Sequence, residues 1–140
     1  MFERCLYFNV NALARRVNAI WDAAFAEFKL SPAHAYLLRL VLETPALTQG
    51  QIAAELKLEK STVTRFVTAL ENRQLVRRQR QGREVRVLPT ARATELASGL
   101  DQTGDALYQQ LLTQLGEQEL LTLVAQLRAS GRKLSKHNDT

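Results

Sequence analysis

Between Ser61 and Asn72 the sequence sets Ser61, Thr62, Thr64, Arg65, Thr68 and Asn72 close together, a run of hydroxyls, one amide and one guanidinium with no acid among them. Such side chains donate to phosphate oxygens and to the edges of bases. Arg65 can make two parallel donations to a guanine, the commonest specific contact in a major groove. Ser61, Thr62 and Thr64 are short enough for close approach, to bond phosphate or base edges or to set a methyl against thymine, and Thr68 lies deeper along the same face. Lys60, Arg77 and Arg78 suit phosphates, which position without carrying sequence information. Arg83, helped by Arg80, suits a neighbouring minor groove, where narrow A·T tracts attract guanidinium groups.

These residues need a scaffold, and the apolar pattern supplies one. Val63, Phe66, Val67 and Leu70 fall at i, i+3, i+4 and i+7, which predicts a helix from Lys60 with one face on a core and the polar face free. Upstream, Thr48 and Gln51 have the T-x-x-Q spacing of a capping box, so a short helix starts there and buries Ile52, Ala53 and Leu56. The connection Lys57-Leu58-Glu59, with Leu58 buried, fixes the angle between the two helices and makes a helix-turn-helix. After Asn72 the period changes: Val85 and Val87 alternate with Glu84 and Arg86, and Gln81-Gly82 supplies a turn back to the run Val76 to Arg80. That is a β-hairpin, hence a winged helix-turn-helix over residues 44–90.

Charge supports this placement independently of any periodicity. Met1 to Leu56 carries 5 basic and 5 acidic residues, Lys57 to Arg86 carries 9 and 3, and Val87 to Thr140 carries 5 and 6. The whole formal excess of +5 therefore sits on the helix and hairpin that would face a polyanion. Any of Arg77, Arg78, Arg80, Arg83 or Arg86 can alternatively form a surface ion pair with Glu71 or Glu84.

The run LTQGQIAAELKLEKSTVTRFVTALENRQLV, then Arg83, then VLPTARA, resembles the MarR family of transcriptional regulators. Their pattern sets a Leu-Thr opening, a "stvTR" recognition helix, a wing arginine and an "LT" helix start in this order. FKLSPAHAYLLRLV is similar to that family's second helix and its entry, so the likeness extends over nearly the whole chain. The resemblance implies a mostly α fold with a small β-hairpin wing, six helices and a dimer, acting without a cofactor. Three departures stand out. The wing tip is the short Arg80-Gln81-Gly82-Arg83, with no aspartate in place of the usual Asp-x-Arg; Gln74 stands where glycine is common; and Pro89 replaces the leucine before Thr90. Members of the family bind small aromatic effectors near helices one, two and five, which makes Trp21, His34 and Tyr36 candidates to line a ligand pocket. Others sense oxidants through a cysteine in the first helix, which makes Cys5, with Tyr7 close by, a candidate redox sensor. The plainer reading of Cys5 is a small buried hydrophobe, and of His34 an ordinary half-buried helix residue.

At 140 residues, 46% of them hydrophobic, the chain is expected to form a single domain, 1–140, so any effector site shares its core. Leu6, Val10, Leu13, Val17, Ile20 and Ala24 form one seam, and Tyr7, Trp21, Phe25 and Phe28 a second strip, on a helix spanning Arg4 to Phe28. A helix buried on two sides needs a second subunit, and segments 1–30 and 91–140 are read as the helical dimerisation part. Ser31-Pro32 caps a second helix ending near Glu43, and Ala46-Leu47 can add a third strand. From Thr90, Leu96, Leu100, Leu107 and Leu111 mark a long helix in which Gly99 and Gly104 each cost about 1 kcal/mol relative to alanine. Gly116 separates a last helix, Glu117 to Lys133, with Leu120, Leu121, Val124 and Leu127 inward and Arg128, Arg132, Lys133 and Lys136 near its end; Lys136 to Thr140 is read as a frayed tail.

Other classes find little support. There is no run of about 18 apolar residues, and MFERCLYFNV interrupts any apolar leader, which points to a soluble cytoplasmic protein with no membrane role. One cysteine excludes an internal disulfide, and His34 and His137 have no closely spaced ligand partner for a metal. No phosphate loop or nucleophile-base set is evident, so the protein is not expected to be an enzyme. The reading is a sequence-specific DNA-binding regulator, a repressor released by a ligand or oxidant, dimeric on a pseudo-palindromic operator in double-stranded DNA. The alternative is a DNA-associated architectural protein with little sequence specificity.

Overall fold

The computed structural model describes residues 1–135. The expectations for Lys136 and the tail to Thr140, including His137, lie outside the described residues. Ser31 begins the ordered sequence of caps: its hydroxyl accepts from the His34 backbone N–H at 3.2 Å, and Pro32 opens α2 (Pro32–Glu43), where a missing N–H leaves no bond unmade. The Thr48–Gln51 capping box is formed in both directions, at 3.1 Å and 2.9 Å, and starts α3 (Gln49–Leu56). Lys57, in the left-handed conformation, ends it, and Lys57-Leu58-Glu59 leads into α4 (Lys60–Asn72).

A three-stranded antiparallel sheet follows the order β1-β3-β2, with β1 Leu47–Thr48, β2 Val76–Gln81 and β3 Glu84–Pro89. The register pairs Gln81 with Glu84, so the connecting residues are Gly82-Arg83, one position beyond the Gln81-Gly82 turn expected from sequence. Gly82 has φ +62°, a conformation glycine adopts without strain, and this selects the turn position. The third strand is real, displaced by one residue from Ala46-Leu47, and pairs Leu47 with Val87.

These elements close one core. Leu37, Leu38, Val41, Ile52, Val63, Val67, Leu70, Leu75, Val76 and Val87 are all essentially inaccessible. Phe66 and Leu58, both expected in the core, are only half-buried. Gln74, where the resemblance would place glycine, has φ +60° immediately after the end of α4. The left-handed conformation explains why glycine suits that position, and a Cβ there costs about 1–2 kcal/mol. Thr90 offsets some of this: its hydroxyl donates to the Gln74 carbonyl at 2.7 Å and accepts from Ala93 N at 3.2 Å, joining the end of α4 to the start of α5 (Ala91–Leu115).

The chain clusters into two compact units, Met1–Thr103 and Gly104–Thr140. In the first, α1 (Leu6–Phe25) and a 3₁₀ turn (Ala26–Phe28) replace the single helix expected from Arg4 to Phe28. Its two-sided burial is absent within one chain: only Phe25 is fully buried, while Leu6, Tyr7, Val10 and Leu13 are exposed. Gly99 admits the Phe28 ring so closely that a Cβ would stand 3.1 Å from Phe28 Cε1. Packing inside the chain therefore accounts for this glycine. In the second unit, Gly116 at φ +86° ends α5, and α6 spans Glu117–Ser135. Of its expected inward residues only Leu120 is buried, and Leu121, Val124 and Leu127 lie exposed.

Candidate nucleic-acid interface

Because Val63, Val67 and Leu70 are held in the core, the opposite side of α4 must face outward. Ser61, Thr64, Arg65, Thr68 and Asn72 are all exposed there, with Lys60 at the first turn and Thr62 half-buried. Not all of these groups are equally free. The Thr64 hydroxyl donates to the Lys60 carbonyl at 3.0 Å and lies 3.4 Å from Gln49 Oε1, and the Thr68 hydroxyl donates to the Thr64 carbonyl at 2.9 Å. A threonine bonded back to the preceding turn keeps its methyl and lone pairs available but has committed its proton. Ser61, Thr62 and Arg65 have no side-chain hydrogen bond among the described residues.

The wing continues this surface. On β2, Val76, Arg78 and Arg80 alternate with Arg77 and Gln79 on the other side. Arg77, Arg80 and Arg83 are exposed and pair with no carboxylate among the described residues. Arg78 and Arg86 do pair, as the ion-pair alternative anticipated. Arg78 Nη1 meets Glu71 Oε1 at 3.0 Å; Arg86 Nη2 meets Glu84 Oε2 at 2.9 Å, and Arg86 Nη1 donates to the Ala46 carbonyl at 2.8 Å. The basic hairpin thus divides into arginines that hold the wing and arginines that project from it.

Between wing and helices lies a cleft of about 370 Å³ lined by Thr48, Gln49, Gly50, Lys60, Thr64, Arg83, Glu84 and Val85. It brings Lys60 and the wing-tip Arg83 to one place. The lysine lies across the start of α3, where a Cβ on Gly50 would stand in ordinary contact with Lys60 Cε, at 3.4 Å. The sequence reading named Lys60 and Arg83 separately and missed Gln49 and Gly50, for which helix periodicity gives no signal.

The candidate effector residues separate into two places. Trp21 Nε1 donates to the Tyr36 hydroxyl at 3.1 Å, Phe25 meets the Tyr36 ring edge-on at 5.7 Å, and the Arg39 guanidinium lies 5.2 Å from the Tyr36 centroid. Tyr36 and Arg39 also border a cavity of about 250 Å³. His34 instead packs its ring against Phe66 of α4, with centroids 4.3 Å apart, and its Nδ1 bonds the Ser31 hydroxyl. Burial, then the nearby charge of Arg73, lowers its pKa. It borders a different cavity of about 280 Å³, with Lys29, Ser31, Leu70 and Arg73. Cys5 is half-buried at the cap position preceding α1, and makes no side-chain cap bond.

Among the described residues no group of three or more His, Cys, Asp or Glu could hold a metal, and no helix is long and apolar enough to cross a membrane. Residues 30–88 match the MarR family. No curated protein matches the chain. Among solved structures, the chain is similar to BpsR of Bordetella bronchiseptica, a protein whose DNA binding is regulated by 6-hydroxynicotinic acid: TM-score 0.84, 19% identity, covering 94% of this chain and 96% of that one. It is similar to S. aureus MepR in complex with DNA, with TM-score 0.82 and 21% identity over 94% of this chain and 99% of that one. A MarR/EmrR family transcriptional regulator from Acinetobacter sp. ADP1 matches at TM-score 0.83 and 19% identity, covering 97% and 99%. At these identities the likeness is one of fold.

Proposed function

We propose that the protein is a homodimeric, sequence-specific DNA-binding transcriptional regulator, a reading that starts from the match of residues 30–88 to the MarR family. The observation that supports this best is the shared exposed surface of α4 and the wing, where Arg65, Arg77, Arg80 and Arg83 stand without carboxylate partners among the described residues. In this reading the first two turns of α4 enter the major groove, with Arg65 on a guanine and Ser61, Thr62 and Thr64 beside it. Arg83 and Arg80 reach the adjacent minor groove, and Lys60 and Arg77 hold phosphates. Two copies related by a two-fold axis read half-sites about one helical turn apart. Segments 1–30 and 91–140 supply the dimer contacts, in a cytoplasmic protein that represses by occupying a promoter. Release follows from a small aromatic effector near Trp21 and Tyr36, or from oxidation at Cys5; BpsR is a relative in fold whose DNA binding responds to a small molecule.

The test is selection of duplex fragments from a random genomic pool by the purified protein near physiological salt, followed by sequencing. Enrichment of an inverted repeat supports the proposal. Uniform, salt-sensitive retention would replace it with an architectural role of little sequence preference, and no retention would overturn DNA binding altogether.

A further inference from the structure

Arg78 is the arginine that the basic surface does not need to explain, because its guanidinium is already spent inside the protein. Nη1 donates to Glu71 Oε1 at 3.0 Å, and Nη2 donates to both the Thr64 carbonyl at 2.9 Å and the Thr68 hydroxyl at 2.8 Å. The other carboxylate oxygen, Glu71 Oε2, accepts from the Arg78 backbone N–H at 2.9 Å. One side chain of the wing thus grips the exposed side of α4 at Thr64, Thr68 and Glu71, while the glutamate returns a bond to the strand. The Arg78 side chain is 25% exposed, whereas Arg65, Arg77, Arg80 and Arg83 lie open.

We propose that Arg78 is a positioning residue, which with Glu71 straps the wing to the recognition helix, sets the separation between Arg65 and the wing-tip Arg83, and contacts no phosphate. This rests on the DNA-binding reading above. A planar fork with several donors is required, because one ammonium on a flexible stem cannot hold a carboxylate, a carbonyl and a hydroxyl in that arrangement. The strap also holds Thr68 in place on the helix, leaving Ser61, Thr62 and Arg65 as the side chains free to read bases.

A charge that grips phosphate and a charge that braces the wing respond differently to salt and to partner removal. Each phosphate contact contributes roughly 0.9 to the slope of log K against log salt, hence about 1.8 for a symmetric dimer. Arg78→Lys, Arg78→Gln, Glu71→Gln and the double variant Glu71→Gln/Arg78→Gln would be measured on the selected duplex over a salt series. The strap predicts that each single variant weakens binding about tenfold, that the double variant is no worse than either single, and that the slope stays unchanged. It also predicts that base preference falls mainly at the wing-contacted outer positions, which general destabilisation would not produce. Thr68→Val, which removes one strap acceptor without a charge or a large volume change, should shift outer-position preference in the same direction, and it keeps the test open if an Arg78 variant folds poorly.

A slope flattened by Arg78→Gln but not by Glu71→Gln, with Arg78→Lys binding normally, would make Arg78 a phosphate contact and overturn the proposal. So would unchanged binding in every variant. If the unaltered protein binds no duplex, the functional reading itself fails and the DNA role assigned to Arg78 falls with it. Hydrogen exchange on the free protein then reports on the strap alone: non-additive acceleration across Val76 to Pro89 in the Glu71 and Arg78 variants supports it, and unaltered exchange removes it.

Discussion

From Leu37 to Val87 the large apolar side chains at helix and strand positions are buried or half-buried against other residues of the same chain; along the first half of α1 and most of α6 they lie exposed. Ile52, Val63, Val67, Val41 and Val87 are completely buried, whereas Tyr7 is 70% exposed, Leu6 64% and Leu127 50%. Both regions have helical apolar periodicity, so periodicity alone does not distinguish them. The difference lies in what each stripe meets. The stripes of the winged core meet each other within the chain, and the ends present apolar surface open to the second copy proposed above. The stability of the core should therefore follow its composition, while that of the ends should follow protein concentration.

The largest effect that can break this comparison comes from the core. Leu70→Ala, at a side chain 1% exposed, should lose about 2–5 kcal/mol in urea unfolding, at all protein concentrations. Leu127→Ala in a dilute monomeric sample should lose far less, because that side chain is half in water already. Equal losses would mean that α6 is covered within one chain.

Association gives the next effect. Val10→Asp, on the exposed side of α1, should shift sedimentation from dimer toward monomer and remove the rise of Tm with concentration expected of the unaltered protein. An unaltered protein that sediments as a monomer at high concentration would deprive the exposed strips of the proposed partner. On DNA, Arg65→Ala should lose about 1–3 kcal/mol of discrimination at one base pair in each half-site. Arg77→Ala should weaken all duplexes alike and lower the dimer's salt slope by roughly 1.8. Matching profiles for the two variants would contradict the division between reading and holding.

The parts legible in the sequence were those set by local chemistry. The Thr48–Gln51 box, the Ser31 cap and the Val63–Leu70 stripe each specify a helix boundary or face from a few neighbouring residues, and α2, α3 and α4 begin where these place them. The hairpin turn was misplaced by one residue because Gln81-Gly82 and Gly82-Arg83 are both acceptable turns; strand register chose between them. Arg78 could not be told from Arg77 or Arg80 by composition. Its distinction depends on β2 bringing it over Thr64 and Glu71, a tertiary relation between residues 14 and 7 positions apart. The family resemblance groups His34 with Trp21 and Tyr36, whereas α2 turns it toward Phe66. Gln74→Gly tests a departure that became intelligible only with its backbone angle: relief of the left-handed strain at φ +60° should raise stability by about 1 kcal/mol in urea unfolding, and a loss would show that its side chain contributes more than the strain.

The smallest effect concerns a half-buried contact between α2 and α4 at the edge of the core. His34 lies on Phe66, bonds Ser31, and has its pKa lowered by burial and by Arg73. The folded protein therefore favours neutral imidazole more than the unfolded chain does, whose histidine titrates near 6.5. Above about pH 6.5 both states leave it neutral and its favourable contribution is complete; as the pH falls, the unfolded chain takes up the proton first and stability declines until the folded value is passed. Urea unfolding at pH 7, 6 and 5 should show this decline, and His34→Gln should reduce it without removing the carboxylate effects common to both proteins. A variant that loses more stability on acidification than the unaltered protein would reverse the sign, meaning that the imidazolium is the form this contact prefers.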